Sequence, residues 1–246
     1  MKSGNYAVLG AAGGIGRKLT ESLLSQGCKV MAGVRNAAEA ATVSELDGAE
    51  LYEIDACDWD AYSDFYDKME SSFGRIDGVA VCVGSILLKP AHLTRREEFE
   101  DVVSKNLSSC FAALRSVAKR MMKEGGSIVF CSSAAARHGF PNHEAIAAAK
   151  AGVIGLTLSA AATYASYGIR VNCVAPGLVR SKMAQGITGN EMALKASQSM
   201  HALGRIGEPE EVARALMWLL DRDQDWVTGQ TIGVDGGLGT LFSKKA

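Results

Sequence analysis

Short apolar runs alternate with longer amphipathic stretches along almost the whole chain. The runs Tyr6–Leu9, Lys29–Val34, Leu51–Ile54, Gly78–Val83, Ser127–Cys131, Arg170–Val174 and Thr231–Val234 have the length and bounding residues of buried strands. Between them lie segments with helical spacing: Arg17–Ser25, where Leu19, Leu23 and Leu24 share a face, then Ala37–Leu46, Trp59–Phe73, Arg96–Lys123, His143–Tyr167 and Pro209–Leu219. Strands that are apolar throughout cannot leave a face in water. The pattern therefore predicts an α/β fold with a parallel sheet covered by helices on both faces. No linker rich in Pro, Gly or Ser and no internal repeat interrupts it, so residues 1–246 are expected to form one domain.

Composition adds exclusions. With 246 residues, 48% apolar and 22% charged, the chain has an ordinary globular make-up and enough length to bury a large core. A formal net charge of −1 offers no electrostatic footprint for nucleic acid or an anionic membrane, which leaves a small-molecule substrate or a second copy of the chain as expected partners. The opening MKSGNYAVLG passes from polar residues directly into a strand-like run, so neither a signal peptide nor a membrane span is expected and the protein should be cytoplasmic. Six cysteines, at 28, 57, 82, 110, 131 and 173, show no CxxC or Cys/His clustering. They read as buried thiols, and no metal site is expected.

Candidate chemistry starts at the first turn. After the first strand the chain reads GAAGGIG before becoming helical. Gly10, Gly14 and Gly16 permit a tight turn and let backbone N–H groups approach a pyrophosphate at the positive end of the helix. At the end of the second strand an acid would bind the ribose 2′-hydroxyl of NAD, but the sequence there is Ala32-Gly33-Val34-Arg35-Asn36. Arg35 suits a 2′-phosphate, so NADP(H) is favoured over NAD(H). The stretch from Ser132 to Gly152, SSAAARHGFPNHEAIAAAKAG, holds a hydroxyl pair, two histidines, a Glu and Lys150, which stands in a run of alanines.

Taken with GAAGGIG, the residues Asp55, Asn106, Ser133 and Lys150, RVNCVAPG at 170–177 and GQTIGVDGG at 229–237 make the chain resemble the short-chain dehydrogenase/reductase family over nearly its whole length. The resemblance implies a Rossmann-type, doubly wound, seven-stranded parallel sheet with a nicotinamide cofactor across the carboxyl ends of the strands. By position, Gly10, Gly14, Ile15 and Gly16 would line the pyrophosphate, and Asp55 with Ala56 would meet the adenine. Asn106 would hold a relay water, Ser133 would bind the substrate oxygen, and Lys150 would bridge the nicotinamide ribose hydroxyls. Gly84, Pro176, Gly177, Val179 and Ser181 would border the nicotinamide, and residues 178–205 would form a substrate lid. The family also pairs its long helices between subunits, which implies a homodimer or homotetramer.

Two places depart from the family pattern. Val81-Cys82-Val83-Gly84 stands where the family usually has Asn-Asn-Ala-Gly. More consequentially, the general-acid tyrosine expected four residues before the lysine is Ile146. His143, seven before Lys150, is the nearby substitute: with Asn142 as N-cap it would begin the helix and share a face with Ile146 and Lys150. Three functions remain open at this level. One is an NADP(H)-dependent oxidoreductase acting on a carbonyl or conjugated enone, with the proton from His143 or a relayed water. The others are a catalytically silent nucleotide-binding protein and a redox-neutral isomerase or dehydratase.

Overall fold

The computed structural model describes residues 3–241, so both extremities of the expected 1–246 domain lie outside the described residues. Seven strands form one sheet: β1 (Asn5–Leu9), β2 (Lys29–Val34), β3 (Ala49–Glu53), β4 (Gly78–Val81), β5 (Gly126–Cys131), β6 (Ile169–Pro176) and β7 (Thr231–Val234). Their order is β3-β2-β1-β4-β5-β6-β7, and every pairing is parallel. The chain runs outward from β1 to β3, then returns to lay β4 on the other side of β1. That reversal opens a crevice between β1 and β4 at the carboxyl edge, which is where an open α/β sheet binds its ligand.

The helices are α1 (Gly14–Ser25), α2 (Ala37–Val43), α3 (Ala61–Phe73), α4 (Arg96–Val103), α5 (Ser109–Met121), α6 (Glu144–Tyr164), α7 (Gln185–Thr188), α8 (Glu191–Met200) and α9 (Pro209–Leu220). Side chains alternate across each strand, so the sheet has two apolar faces. Leu9, Val81, Phe130 and Val171 point to one, under α3, α5 and α6, with Phe65, Val117 and Val153. Val8, Ala80, Val129 and Val174 point to the other, under α1 and α9, with Leu19, Leu23, Leu216 and Leu219. The expected doubly wound parallel sheet is thus present.

α6 is apolar on nearly every side; its stretch of mean hydropathy 1.6 would pass for a membrane span by length and composition alone. Within the fold its buried side runs Ile146, Ala149, Lys150, Val153, Thr157, Ala160 and Ala161, a helical spacing that lays small residues against the sheet.

Two expected elements differ in form. The helix expected from Arg96 to Lys123 is interrupted at Ser104–Ser108 by a π-helical turn that separates α4 from α5. Asn106, at its centre, donates its amide to the Val102 carbonyl four residues back (3.0 Å), and Ser109 bonds likewise to Lys105 (2.8 Å), so side chains draw on the backbone acceptors of this turn. The expected start of the long helix also shifts. Asn142 does not cap it: its backbone is left-handed (φ 63°), its carbonyl accepts from the Lys89 amide at 2.8 Å, and His143 takes the cap position with no side-chain cap bond.

Packing of α1 on β1 depends on Gly16, since a Cβ there would lie 2.3 Å from the Gly10 carbonyl oxygen. Gly16→Ala is expected to destabilise the fold by about 1–3 kcal/mol through this overlap, read from the shift in the urea unfolding midpoint.

Candidate active site

The carboxyl ends of β1, β4, β5 and β6 deliver their following residues to one cleft. Leu9 pairs with Val81, Val81 with Phe130, and Cys131 with Val174. From the row Leu9, Val81, Phe130 and Cys173, β5 continues to Cys131 and β6 to Pro176, so Gly10, Cys82, Ser132 and Gly177 all emerge at the carboxyl edge of the sheet. One wall of the cleft is Cys82 to Ile86 with Asn106; the next is Cys131, Ser132, Ser133, Ile146 and Lys150; Ile15 and the segment from Pro176 to Val179 close the rest.

Lys150 is buried, which demands a partner for its charge. Its Nζ donates to the Cys131 carbonyl at 2.7 Å, and the neighbouring Ser132 hydroxyl donates to the Lys150 carbonyl at 2.8 Å. Two bonds therefore lock α6 onto the end of β5. They also separate the roles of the adjacent hydroxyls, since Ser132 is committed to the backbone whereas Ser133 faces the cleft. Ser133 Oγ accepts the Ala135 N–H at 3.1 Å, which leaves its own hydrogen to donate.

Asn106 is fully buried, but its polar atoms are taken. Oδ1 accepts the Ser85 N–H (3.1 Å), and Nδ2 donates to Ser85 Oγ (2.9 Å) and to the Val102 carbonyl (3.0 Å). The Asn106 side chain thereby braces the loop after β4. Gly84 is required for this contact, because a Cβ there would meet Asn106 Oδ1 at 2.8 Å. Ser85 is a site residue that sequence spacing did not reveal; its one signal was a hydroxyl following the Val83-Gly84 departure.

Ile146 occupies the cleft wall and packs with Val102, Ala145 and Ala149, with Leu87 and Leu107 beside them. None of the six tyrosines lines the cleft. Tyr6, Tyr62 and Tyr66 lie in the core, where burial pushes their hydroxyls up, and Tyr62 is bonded to the carbonyls of Ala56 and Ser109. His143 is also absent from the lining. Its Nδ1 lies 2.7 Å from the Pro141 carbonyl, and its ring stands 5.4 Å from that of Phe140. His143 is the N-cap, and its carbonyl accepts the Ala147 N–H at 2.7 Å, but its ring turns to Pro141 and Phe140 and not into the cleft.

Two thiols that read as packing residues line the cleft as well. Cys82 and Cys131 follow each other across β4 and β5, with their sulfurs 4.0 Å apart. The contact with Cys82 and then the Lys150 charge hold the Cys131 thiol below its ordinary value, while the same contact and burial push Cys82 well up.

At the mouth of the cleft, Gly10 is left-handed (φ 78°) and a Cβ on it would lie 3.0 Å from the Cys82 backbone. The N-terminus of α1 has neither a side-chain cap nor an acid in its first turn. Open amides at a positive helix end, beside two glycines whose missing side chains leave a cradle, suit a pyrophosphate. Ser181 approaches from across, its Cβ 3.5 Å from the position of a Cβ on Gly14. Further out, Asp55 Oδ1 ties its own turn through the Cys57 N–H (2.9 Å), and Ala56 is buried beside it. Arg35 ends β2 with its guanidinium exposed and bonded to Glu39 at 2.8 Å, the same carboxylate that accepts the Arg35 N–H.

The family described as Enoyl-(Acyl carrier protein) reductase matches residues 10–239. The fold superposes on a short-chain type dehydrogenase/reductase from Mycobacterium ulcerans with a TM-score of 0.93 and 30% identity, covering 97% of this chain and 90% of that one. The chain is a short-chain dehydrogenase/reductase. Among oxidoreductases of this family it is 36% identical over 239 residues to the 3-oxoacyl-[acyl-carrier-protein] reductase FabG of Thermotoga maritima, across 94% of this chain and 96% of that protein. It is 34% identical to the 2,5-dichloro-2,5-cyclohexadiene-1,4-diol dehydrogenase of Sphingobium indicum, across 94% of each. A structure of ElxO with NADP bound has a TM-score of 0.91 at 26% identity, covering 98% of this chain and all (100%) of that one.

In this short-chain dehydrogenase/reductase the bracing by Asn106 has a measurable weight. Asn106→Ala removes its three hydrogen bonds and strands buried partners, and is expected to cost about 2–4 kcal/mol of stability. Denaturant unfolding of the variant against the parent measures it.

Proposed function

We propose that this protein is an NADP(H)-dependent oxidoreductase that moves hydride between nicotinamide and a carbonyl or conjugated enone, with Ile146 standing where the family's general-acid tyrosine would be. The observation that carries the proposal is the convergence of Ser133, Lys150 and Ile15 of the glycine turn on one cleft. When bound, NADP(H) supplies the hydride. The backbone from Gly10 to Gly16 would take its pyrophosphate, Asp55 and Ala56 its adenine, Arg35 its 2′-phosphate, and Lys150 its ribose hydroxyls. Gly84, Pro176, Gly177, Val179 and Ser181 would border the nicotinamide, beneath a lid at 178–205. The NADP-bound relative ElxO supports the cofactor assignment; Arg35, paired with Glu39 through Nη2, would offer its remaining N–H groups to the phosphate.

Ser133 would orient the substrate oxygen: its Oγ accepts the Ala135 N–H, which leaves its own hydrogen available to donate. Lys150 spends one N–H on the Cys131 carbonyl and keeps two for the ribose and the developing negative charge. Ile146 has no proton to give, His143 lies outside the cleft, and Asn106 is committed to Ser85 and Val102. The proton then reaches the oxygen from water beside Ser133 and Lys150. A positioned acid contributes about 10²–10⁴ in rate, so ketone turnover without one is slow. Ile146 equally favours one second reading, a nucleotide-binding protein without turnover.

Two variants and one assay test these readings. The purified protein is expected to bind NADPH and to oxidise it slowly over a panel of ketones and enones; binding without oxidation selects the silent reading, and no binding overturns both. Ile146→Tyr is expected to raise ketone reduction by about a hundredfold or more in single-turnover rate, and an unchanged rate would mean that the serine and lysine are not arranged for hydride transfer. Arg35→Ala is expected to weaken NADPH about tenfold, the order of one charge-assisted contact, and to leave NADH unchanged by fluorescence titration.

A further inference from the structure

Of the four histidines only His201 is buried, at 3% exposure. It ends α8, within the segment that covers the site, and sits behind the cleft wall formed by Gly177, Leu178 and Val179. Both ring nitrogens are used. Nδ1 lies 2.7 Å from the Ser197 carbonyl, and Nε2 lies 3.2 Å from the Leu178 amide nitrogen. A carbonyl can only accept and an amide N–H can only donate, so the ring is a neutral imidazole with its hydrogen on Nδ1. Contact is close: a Cβ on Gly177 would meet Nε2 at 2.7 Å, and a Cβ on Gly236 would meet the ring's Cδ2 at 3.6 Å. The same wall is held from its far end, where Gly207 donates to the Leu178 carbonyl and accepts from the Arg180 N–H, each at 2.9 Å.

We propose that His201 is a positioning residue, whose neutral imidazole fixes the Leu178 amide and thereby sets the Gly177–Val179 wall against which cofactor and substrate are held. This rests on the reading that the cleft takes a nicotinamide nucleotide. The contact is sensitive to acid by its chemistry, since a second ring proton would set one donor against another. Charged groups around the ring do not supply a replacement. Asp235, from the end of β7, is occupied by the Gly237 and Gly239 N–H groups at 2.9 and 3.0 Å. Arg205 and Glu211, which share the cavity behind the wall, are paired with each other at 2.6 Å.

His201→Gln keeps an acceptor near the Nε2 position and cannot titrate; His201→Leu keeps the volume and removes the acceptor. NADP⁺ titrations from pH 5 to 8 and hydrogen exchange at the Leu178 amide give the two readouts. His201→Leu is expected to bind NADP⁺ about tenfold more weakly, the order of one lost hydrogen bond, and to exchange the Leu178 amide faster by a similar factor. His201→Gln is expected to match the parent near neutral pH and to lose less affinity than the parent in acid. The cofactor's own phosphate titration is common to both, so the difference between their profiles is the signal. Parent-like NADP⁺ affinity in His201→Leu, or identical pH profiles for the parent and His201→Gln, would overturn the proposal. If His201→Leu does not fold, the His201→Gln profile still decides. Absence of NADP⁺ binding by the parent would instead sink the functional reading, and the Leu178 exchange rate would then judge the His201 contact alone.

Discussion

Parallel pairing at the centre of the sheet is the constraint from which the site follows. Leu9 is matched to Gly33 on one side and to Val81 on the other, and Val81 in turn to Phe130. A slip of one residue would turn every inward side chain outward, so burial on both faces holds this register firmly. Because the strands are parallel and matched in this register, Gly10, Cys82, Ser132 and Ser133 leave the sheet along its carboxyl edge. The crevice opens where the chain reverses direction between β1 and β4, and the glycine turn lies beside it.

A second constraint, the burial of Lys150, converts that edge into a site. An ammonium under α6 must be matched, and the carbonyl of Cys131 and the adjacent Ser132 hydroxyl fix α6 to β5 by bonds in both directions. The helix is otherwise an apolar surface of small residues that could slide or rotate. Its polar lock sets which residues face the cleft, and one of them is Ile146. With Leu87, Val102 and Leu107 around it, that position is a packed apolar wall. The cleft therefore combines hydrogen-bond donors on one side, from Ser133 and Lys150, with an apolar surface beside them.

Most of the fold was legible in the pattern of short apolar runs, because strands buried on both faces leave no room for polar alternation. Boundaries that depend on side chains bonding to the backbone were not legible. The break between α4 and α5 arises where Asn106 and Ser109 bond to nearby carbonyls, and a helical hydrophobic period reads straight through it. Asn142 has the composition of a helix cap, yet its backbone is left-handed, and the helix begins after His143. At the cap position the His143 ring bonds to the Pro141 carbonyl and stays out of the cleft lining. Neither Ser85 nor His201 could be paired from the sequence, because their partners, Asn106 and Leu178, lie 21 and 23 residues away.

The sequence by itself determined the alternation of strands and helices, the glycine turn with its positive helix end, and the serine and lysine without a tyrosine between them. Each is a local property: a period, a missing side chain or a residue type at a fixed separation. Only the tertiary structure decided which polar atoms were still free. Ser132 and Asn106 have suitable chemistry, but their side chains are bonded to Lys150, Ser85 and Val102, and His143 turns to Pro141 outside the cleft, while Ser133 retains a donor. Spacing along a chain ranks candidates by type; the competition among partners in a packed interior decides which of them can act.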